Sequence, residues 1–302
     1  YLAVYIHEYW HYLQNVTTIA GVVTFFLMQE LAALFSRTVE EGPAGMISSK
    51  GSAGLDATDQ ANFDNVISMF LTMQGKMKPA GLLMKPIKNL TIQDMKKAEV
   101  ELAWRGEKLT RHQLMLSMQI NYSDGTVDNK AQLQVGAGAI QESIANLVER
   151  HLGAKDPSLR IEDSPPFPYS VLEQIIKHVV GNSDEPQDII AAIGTLSLMC
   201  NNPAAALYDF AVDYGVQRRA GTGPLASLNV IMQRSLPSIN DAIATVLAGD
   251  LFSIEQMHTD RGLVKVGADY IVSVVRKAMH RRRDYPLFDF EFATKNTPKQ
   301  VI

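Results

Sequence analysis

Near its start the chain reads "HEYWH", which places His7, Glu8 and His11 in the spacing H-E-x-x-H. On an α-helix, residues i and i+4 share a face, so both imidazoles can point at one metal ion. Glu8 sits about 100° round the same helix. It is badly placed as a third ligand there but well placed to take a proton from a water beside the metal. Neutral imidazole suits Zn²⁺, and a catalytic zinc keeps one position open for water. With only 7 His in 302 residues, such a trio arises by chance in roughly one chain of this kind in a hundred. Tyr5, Tyr9, Trp10 and Tyr12 crowd around it. They predict an enclosed helix, in which two His and a Glu need partners.

A catalytic zinc wants a third protein ligand, and it must come from another helix. The stretch "GAGAIQESIANLVERH" offers Glu142, one turn into a helical pattern and flanked by Ala139, Ile140, Ile144 and Ala145. Those neighbours turn the carboxylate toward something packed. Asn146, four residues on, shares its face and could accept from the ring N–H of a ligand His. Glu149 falls on the same stripe and is a candidate for the same supporting shell.

An HExxH helix followed by an E-x-x-A-x-x-x-E helix resembles the glutamate-type zincin metallopeptidases, the gluzincins, of which thermolysin is a member. The matching residues are His7, Glu8 and His11 in "HEYWH", and Glu142, Ala145 and Glu149 in "QESIANLVE". The resemblance implies zinc on His7, His11 and Glu142, with Glu8 activating water for peptide hydrolysis. Its substrate would be a peptide or protein. Thermolysin-like enzymes carry an Asp four residues after the glutamate ligand; here that position is Asn146, which keeps a hydrogen bond and loses the charge. The match covers about thirty residues. The family's sheet normally precedes the HExxH helix, and this chain begins too late to show it. Zinc peptidases also use a Tyr or His donor to steady the oxyanion. Tyr169, His178, Tyr208 and Tyr214 are the downstream candidates.

Two other readings belong to different classes. Glu8 and His11 also spell E-x-x-H, as do Glu255 and His258 in "IEQMH". Di-iron helical bundles use two such motifs plus a Glu from each of two more helices, and Glu142, Glu149 and Glu30 could supply those. Alternatively the metal site is structural, and the chain is a binding or scaffold module. His112, His151, His178 and His280 have no partner at ligand spacing and read as surface or capping residues.

The elements that must position these residues are mostly helical. Residues 1–38 show helical spacing as one long helix or two. The run 40–60 is rich in Gly and Ser and predicts a mobile loop. Residues 62–75 return to helical periodicity, and the two prolines in 77–89 suggest a connector. "QLMLSMQINYSDGTVDNKAQLQV" (113–135) alternates apolar and polar residues about Asp124-Gly125, a strong hairpin signal. The stretch 100–109 could add a third strand, and the hairpin could bind an extended substrate beside the cleft. After a proline-rich hinge at 162–170 the pattern is helical over 171–181, 186–200, 203–215, 224–235, 237–248 and 264–282.

The expected fold class is therefore mainly α with a small antiparallel β-sheet (α+β). Region 1–161 would carry the zincin-like site. Region 162–302 would complete the cleft or dock a regulatory partner protein. Apolar residues make up 46% and net charge is −4, so a sizeable core is expected and nucleic acid is not. The basic run "RKAMHRRRD" (276–284) reads as a solvated helix end. Cys200 is the only cysteine, which excludes an internal disulfide and points to a reducing, cytoplasmic compartment. The apolar run 16–28 is too short to span a bilayer, so no membrane span is expected. A helical pattern is already running at Tyr1, which suggests that residues precede it.

Overall fold

Helix α1 (Leu2–Thr17) carries the HEYWH motif and ends at a corner built by Thr18. Thr18 has extended backbone (φ −114°, ψ 154°). Its hydroxyl donates to the Gln14 carbonyl at 2.7 Å and accepts from the Gly21 N–H at 3.1 Å. One side chain thus closes α1 and caps α2 (Ile19–Ser36). A Cβ on Gly21 would stand 2.5 Å from the Asn15 Cα, so the corner requires glycine. Residues 1–38 are therefore two helices. The computed structural model describes residues 2–41, 47–104, 107–156, 164–181, 184–257 and 262–288.

The expected loop at 40–60 holds more order than its composition suggests. Strands β1 (Val39–Glu41) and β2 (Ile47–Ser49) pair antiparallel; residues 42–46 of that loop lie outside the described residues. Helix α3 (Ala57–Gln74) then begins early, because the Asp56 carboxylate accepts from the Asp59 N–H. Three longer strands follow: β3 (Ile87–Trp104), β4 (Glu107–Tyr122) and β5 (Val127–Val135), antiparallel in that order. The β4–β5 turn has Gly125 at φ 86°, and Asp124 accepts from the Thr126 N–H, as the Asp-Gly pair predicts. The third strand differs from expectation. Residues 100–104 end β3 and 107–109 begin β4, while 87–89 are already strand, directly after Pro86. Pro86 is the last position without an N–H to give to a ladder.

Helix α4 (Ala137–Lys155) leaves β5 through Gly136. There the chain passes Gly75 so closely that a Cβ on Gly136 would stand 2.4 Å from the Gly75 nitrogen. The helical half comprises α5 (Pro166–Tyr169), α6 (Val171–Val180), α7 (Gln187–Leu198), α8 (Pro203–Arg219), α9 (Pro224–Thr245), a π-helical turn at Val246–Asp250, α10 (Leu251–Met257) and α11 (Gly262–Asp284). The predicted hinge at 162–170 is thus partly a helical turn; 162–163 lie outside the described residues. A break before Pro237 is also absent. Pro237 is exposed while Ile231, Ser235, Ile239 and Ala242 are buried. The hydrogen bond lost to proline therefore falls on the solvent side, and the packed face carries α9 through.

Helix α4 is central. It packs against α1, α5, α6 and α7, and α1 packs against α2, α4 and α11. One buried core joins residues from before and after 162, among them Ile140, Ile144, Ile175 and Ile193. The long sheet packs mainly on α3, α6 and α8. The hairpin also touches α4, the helix that follows it, through β5. Helix α2, 18 residues long, is apolar enough to cross a membrane by length and composition. Within the fold its exposed edge is Met28, Ala32 and Phe35.

The basic run is not all solvated. Arg282 is fully buried. Its guanidinium donates to the Thr17 carbonyl at 2.9 Å, to the Thr17 hydroxyl at 2.8 Å and to the Pro286 carbonyl. It thereby satisfies a carbonyl that the last turn of α1 leaves without a helical partner.

Candidate metal centre

On α4 every residue from Ala137 to Val148 is buried except Glu142. Its carboxylate turns toward α1 and meets both histidines. His7 Nε2 lies 3.2 Å from Glu142 Oε2, His11 Nε2 lies 3.3 Å from the same oxygen, and the two Nε2 atoms are 3.1 Å apart. Among the described residues, this is the one group of three or more His, Cys, Asp and Glu gathered closely enough to hold a metal ion. The three side chains are only 12%, 19% and 24% exposed.

The triangle fits a small cation by size and by chemistry. A regular tetrahedron with edges of this length has its centre about 2.0 Å from each corner, close to the zinc–nitrogen and zinc–oxygen distances of about 2.0–2.2 Å. His7 Nδ1 lies 3.2 Å from Glu149 Oε2. If Nδ1 carries the ring hydrogen, Nε2 presents a lone pair to a carboxylate oxygen and to a second imidazole. Three electron-rich atoms at such separations need a positive charge among them. In the metal-free protein a proton supplies it. Burial would lower the His7 pKa, but the hydrogen bonds to Glu142 and Glu149 outweigh it and raise the ring to about 9. Burial likewise works against the Glu142 carboxylate, yet the hydrogen bonds from His11 and His7 hold it at about 2. Proton and metal compete for one place.

The supporting residues divide their work differently from expectation. Glu149, rather than Asn146, accepts from the outer nitrogen of His7. Asn146 instead reaches the segment before α6. Its Nδ2 donates to the Tyr169 carbonyl at 3.4 Å and its Oδ1 accepts from the Ser164 hydroxyl at 2.9 Å. Ser143 holds the same segment by donating to the Pro168 carbonyl at 2.8 Å. Together they set Tyr169, whose ring meets the His7 ring edge-on at 5.8 Å. Its phenol is pushed up by burial, then by the carboxylates of Glu142, Glu8 and Glu149, which lie within electrostatic reach of it. The other oxyanion candidates lie elsewhere. Tyr214 is buried and bonded to Glu185, Tyr208 sits under Lys97, and His178 lines a cavity against β3.

Glu8 is exposed and stands outside the triangle. The expected enclosure of the helix is one-sided: Trp10 is buried, while Tyr5 and Tyr12 are half exposed. Residues 4, 5, 8, 12 and 15 form the open face. Residues that the sequence did not single out tie the two ligand helices together. Gln14 donates to the Gln141 carbonyl, and Gln141 donates to Asn15 Oδ1. Their only sequence signal is an amide next to each ligand turn. Of the di-iron set, Glu30 lines a separate cavity with Arg37 and Trp104, and His258 lies outside the described residues.

These assignments separate two substitutions. Glu149→Gln should weaken metal affinity or activity about 10–100-fold, as for other groups that orient a ligand His. Asn146→Ala should leave zinc affinity near wild type and act on turnover through Tyr169. Competition against a fluorescent zinc chelator, run beside a rate assay, checks both.

No family model, curated protein or solved structure matches the chain.

Proposed function

We propose that the protein is a zinc-dependent peptidase of the HExxH-plus-Glu type, which hydrolyses peptide bonds with Glu8 as general base. The observation that carries this reading is the triangle of His7 Nε2, His11 Nε2 and Glu142 Oε2, with edges of 3.1–3.3 Å. When bound there, zinc supplies Lewis-acid polarisation of a carbonyl and lowers the pKa of water toward about 7. The chain does the rest. Glu8, free of the ligand set, takes a proton from the attacking water and returns it to the leaving amine. Tyr169 donates its phenolic hydrogen to the oxyanion that develops on the former carbonyl. Glu149 fixes the His7 ring so that its inner nitrogen keeps facing the metal. The open face of α1 gives an extended substrate access to Glu8.

Elemental analysis of the purified protein should find about one zinc per chain, and the zinc-loaded protein should cleave peptides in a mixed library. About two irons per chain would overturn the reading in favour of a di-iron centre. Stoichiometric zinc without turnover would favour a structural site.

A further inference from the structure

We propose that the groove between strand β3 and helix α6 binds an extended, acidic segment of a partner protein, which adds to the free edge of β3 as a further strand. The cavity there measures about 420 Å³ and is bordered by residues 87–92 of β3 and, opposite them, by Ser170, Gln174, Lys177 and His178. None of His7, His11 and Glu142 is part of its wall, so the segment is held there rather than cut.

The backbone makes the edge. In the order β3-β4-β5, strand β3 pairs on one side only. Successive side chains of a strand point to opposite faces. A cavity that meets six consecutive residues therefore follows the backbone edge and not one face. Among the described residues, β4 is the only element whose backbone bonds to residues 87–92. The outward N–H and C=O groups are a template for another strand. The ladder is regular from Asn89 to Ile92, which pair with Asn121, Ile120, Gln119 and Met118, and a register shift brackets it on each side. Such a stretch spans about 13 Å, so the docking ladder is short. Helix α6 supplies the far wall, because residues 170, 174, 177 and 178 stand at i, i+4, i+7 and i+8 and share one face.

The charge of the wall selects the occupant. Lys88, Lys177 and His178 line it and, among the described residues, no Asp or Glu does. No ion pair engages Lys88 or His178 among the described residues. Lys177 reaches Asp184 at 3.4 Å, and that carboxylate is 96% exposed. The chain as a whole carries a net charge of −4, so this is a positive groove on an acidic protein. A strand that bears carboxylates gains ladder bonds from the edge and charge-assisted bonds from the lysines. A second copy of this chain would bring its own lysines to the groove, so the charge that admits an acidic strand opposes self-pairing.

Fluorescence anisotropy on the full chain tests this with three labelled peptides. One is Thr-Glu-Val-Glu-Val-Glu-Thr. The second has lysine in place of each glutamate. The third is the acidic peptide N-methylated at alternate backbone positions. The acidic peptide should bind saturably, and the lysine peptide at least about tenfold more weakly. The methylated peptide should also bind at least about tenfold more weakly, because methylation removes its donors to the ladder. Lys88→Glu combined with Lys177→Glu should lower affinity for the acidic peptide at least about tenfold. Lys130→Glu, on the opposite edge strand β5, should leave it unchanged. The two control peptides decide the matter even where the double variant does not fold. Equal binding of the methylated peptide would overturn strand addition, and equal binding of the lysine peptide would overturn the selection by charge. Binding by none of the three would mean that the lysines guard the edge, which overturns the proposal. Self-association that displaces the acidic peptide would assign the edge to a second copy and overturn it as well.

Discussion

Glu8→Gln is expected to lower peptide hydrolysis about 10²–10⁴-fold, or about 3–5 kcal/mol of barrier, while zinc stays bound. The two halves of that result come from one geometric fact. The Glu8 side chain is exposed and outside the His7–His11–Glu142 triangle, so removing its charge leaves the ligand set intact. The amide keeps size and shape but has no basic lone pair to take the proton. Zinc content measured beside the rate separates the two. Equal turnover by both proteins would mean that Glu8 is not the base. Loss of zinc in the variant would mean that Glu8 is a ligand, and the assignment of roles on α1 would fail.

Glu142→Ala should remove most zinc affinity, as should His7→Ala and His11→Ala, whereas Glu255→Ala should leave it intact. Each of the three contributes one corner of the triangle, and two corners do not make a closed site. Retention of zinc by Glu142→Ala, or its loss in Glu255→Ala, would overturn the ligand assignment. Zinc uptake should release protons and weaken as pH falls, because the metal displaces the proton held at His7. The metal-free fold has its own pH signature. The His7 pKa is raised from 6.5 to about 9, so its contribution to stability is full below 6.5 and lost as pH rises through about 9. The Glu142 pKa is lowered from 4.5 to about 2, so its contribution is full above 4.5 and lost as pH falls through about 2. Thermal unfolding of the zinc-free protein should therefore show a lower midpoint at pH 10 than at pH 6. A higher midpoint at pH 10 would refute the protonated cluster.

The HEYWH helix could be read from the sequence because i, i+4 spacing is a local property, and Glu142 because its neighbours are small and apolar. The hairpin about Asp124-Gly125 was legible for the same reason, since a tight turn carries its own conformational demand, met here by Gly125 at φ 86°. The division of labour between Asn146 and Glu149 was not. Glu149 lies seven residues from Glu142, about 20° away round the helix, while Asn146 lies about 40° the other way. That difference turns one toward α1 and the other toward Ser164 and Tyr169. It matters only once the neighbouring elements are placed. The choice of Tyr169 over Tyr208 and Tyr214 was hidden likewise, because the bonds that set it come from Ser143 and Asn146, more than twenty residues away. The extent of β3 was missed because its many Lys, Asp and Glu side chains belong to an edge strand with one solvated face.

The clamp of Arg282 on Thr17 joins residues 265 apart in sequence. It ties the end of the helix that carries both histidines to the last long helix of the described chain. A chain growing from the ribosome at about 5–20 residues per second has therefore made its ligand helix long before it makes the residue that secures it. Contacts of such long range close slowly, because the loop entropy is lost before any contact is gained. The His7–His11 helix is therefore secured only after α11 has been made, and a chain cut short before Arg282 should hold that helix less firmly.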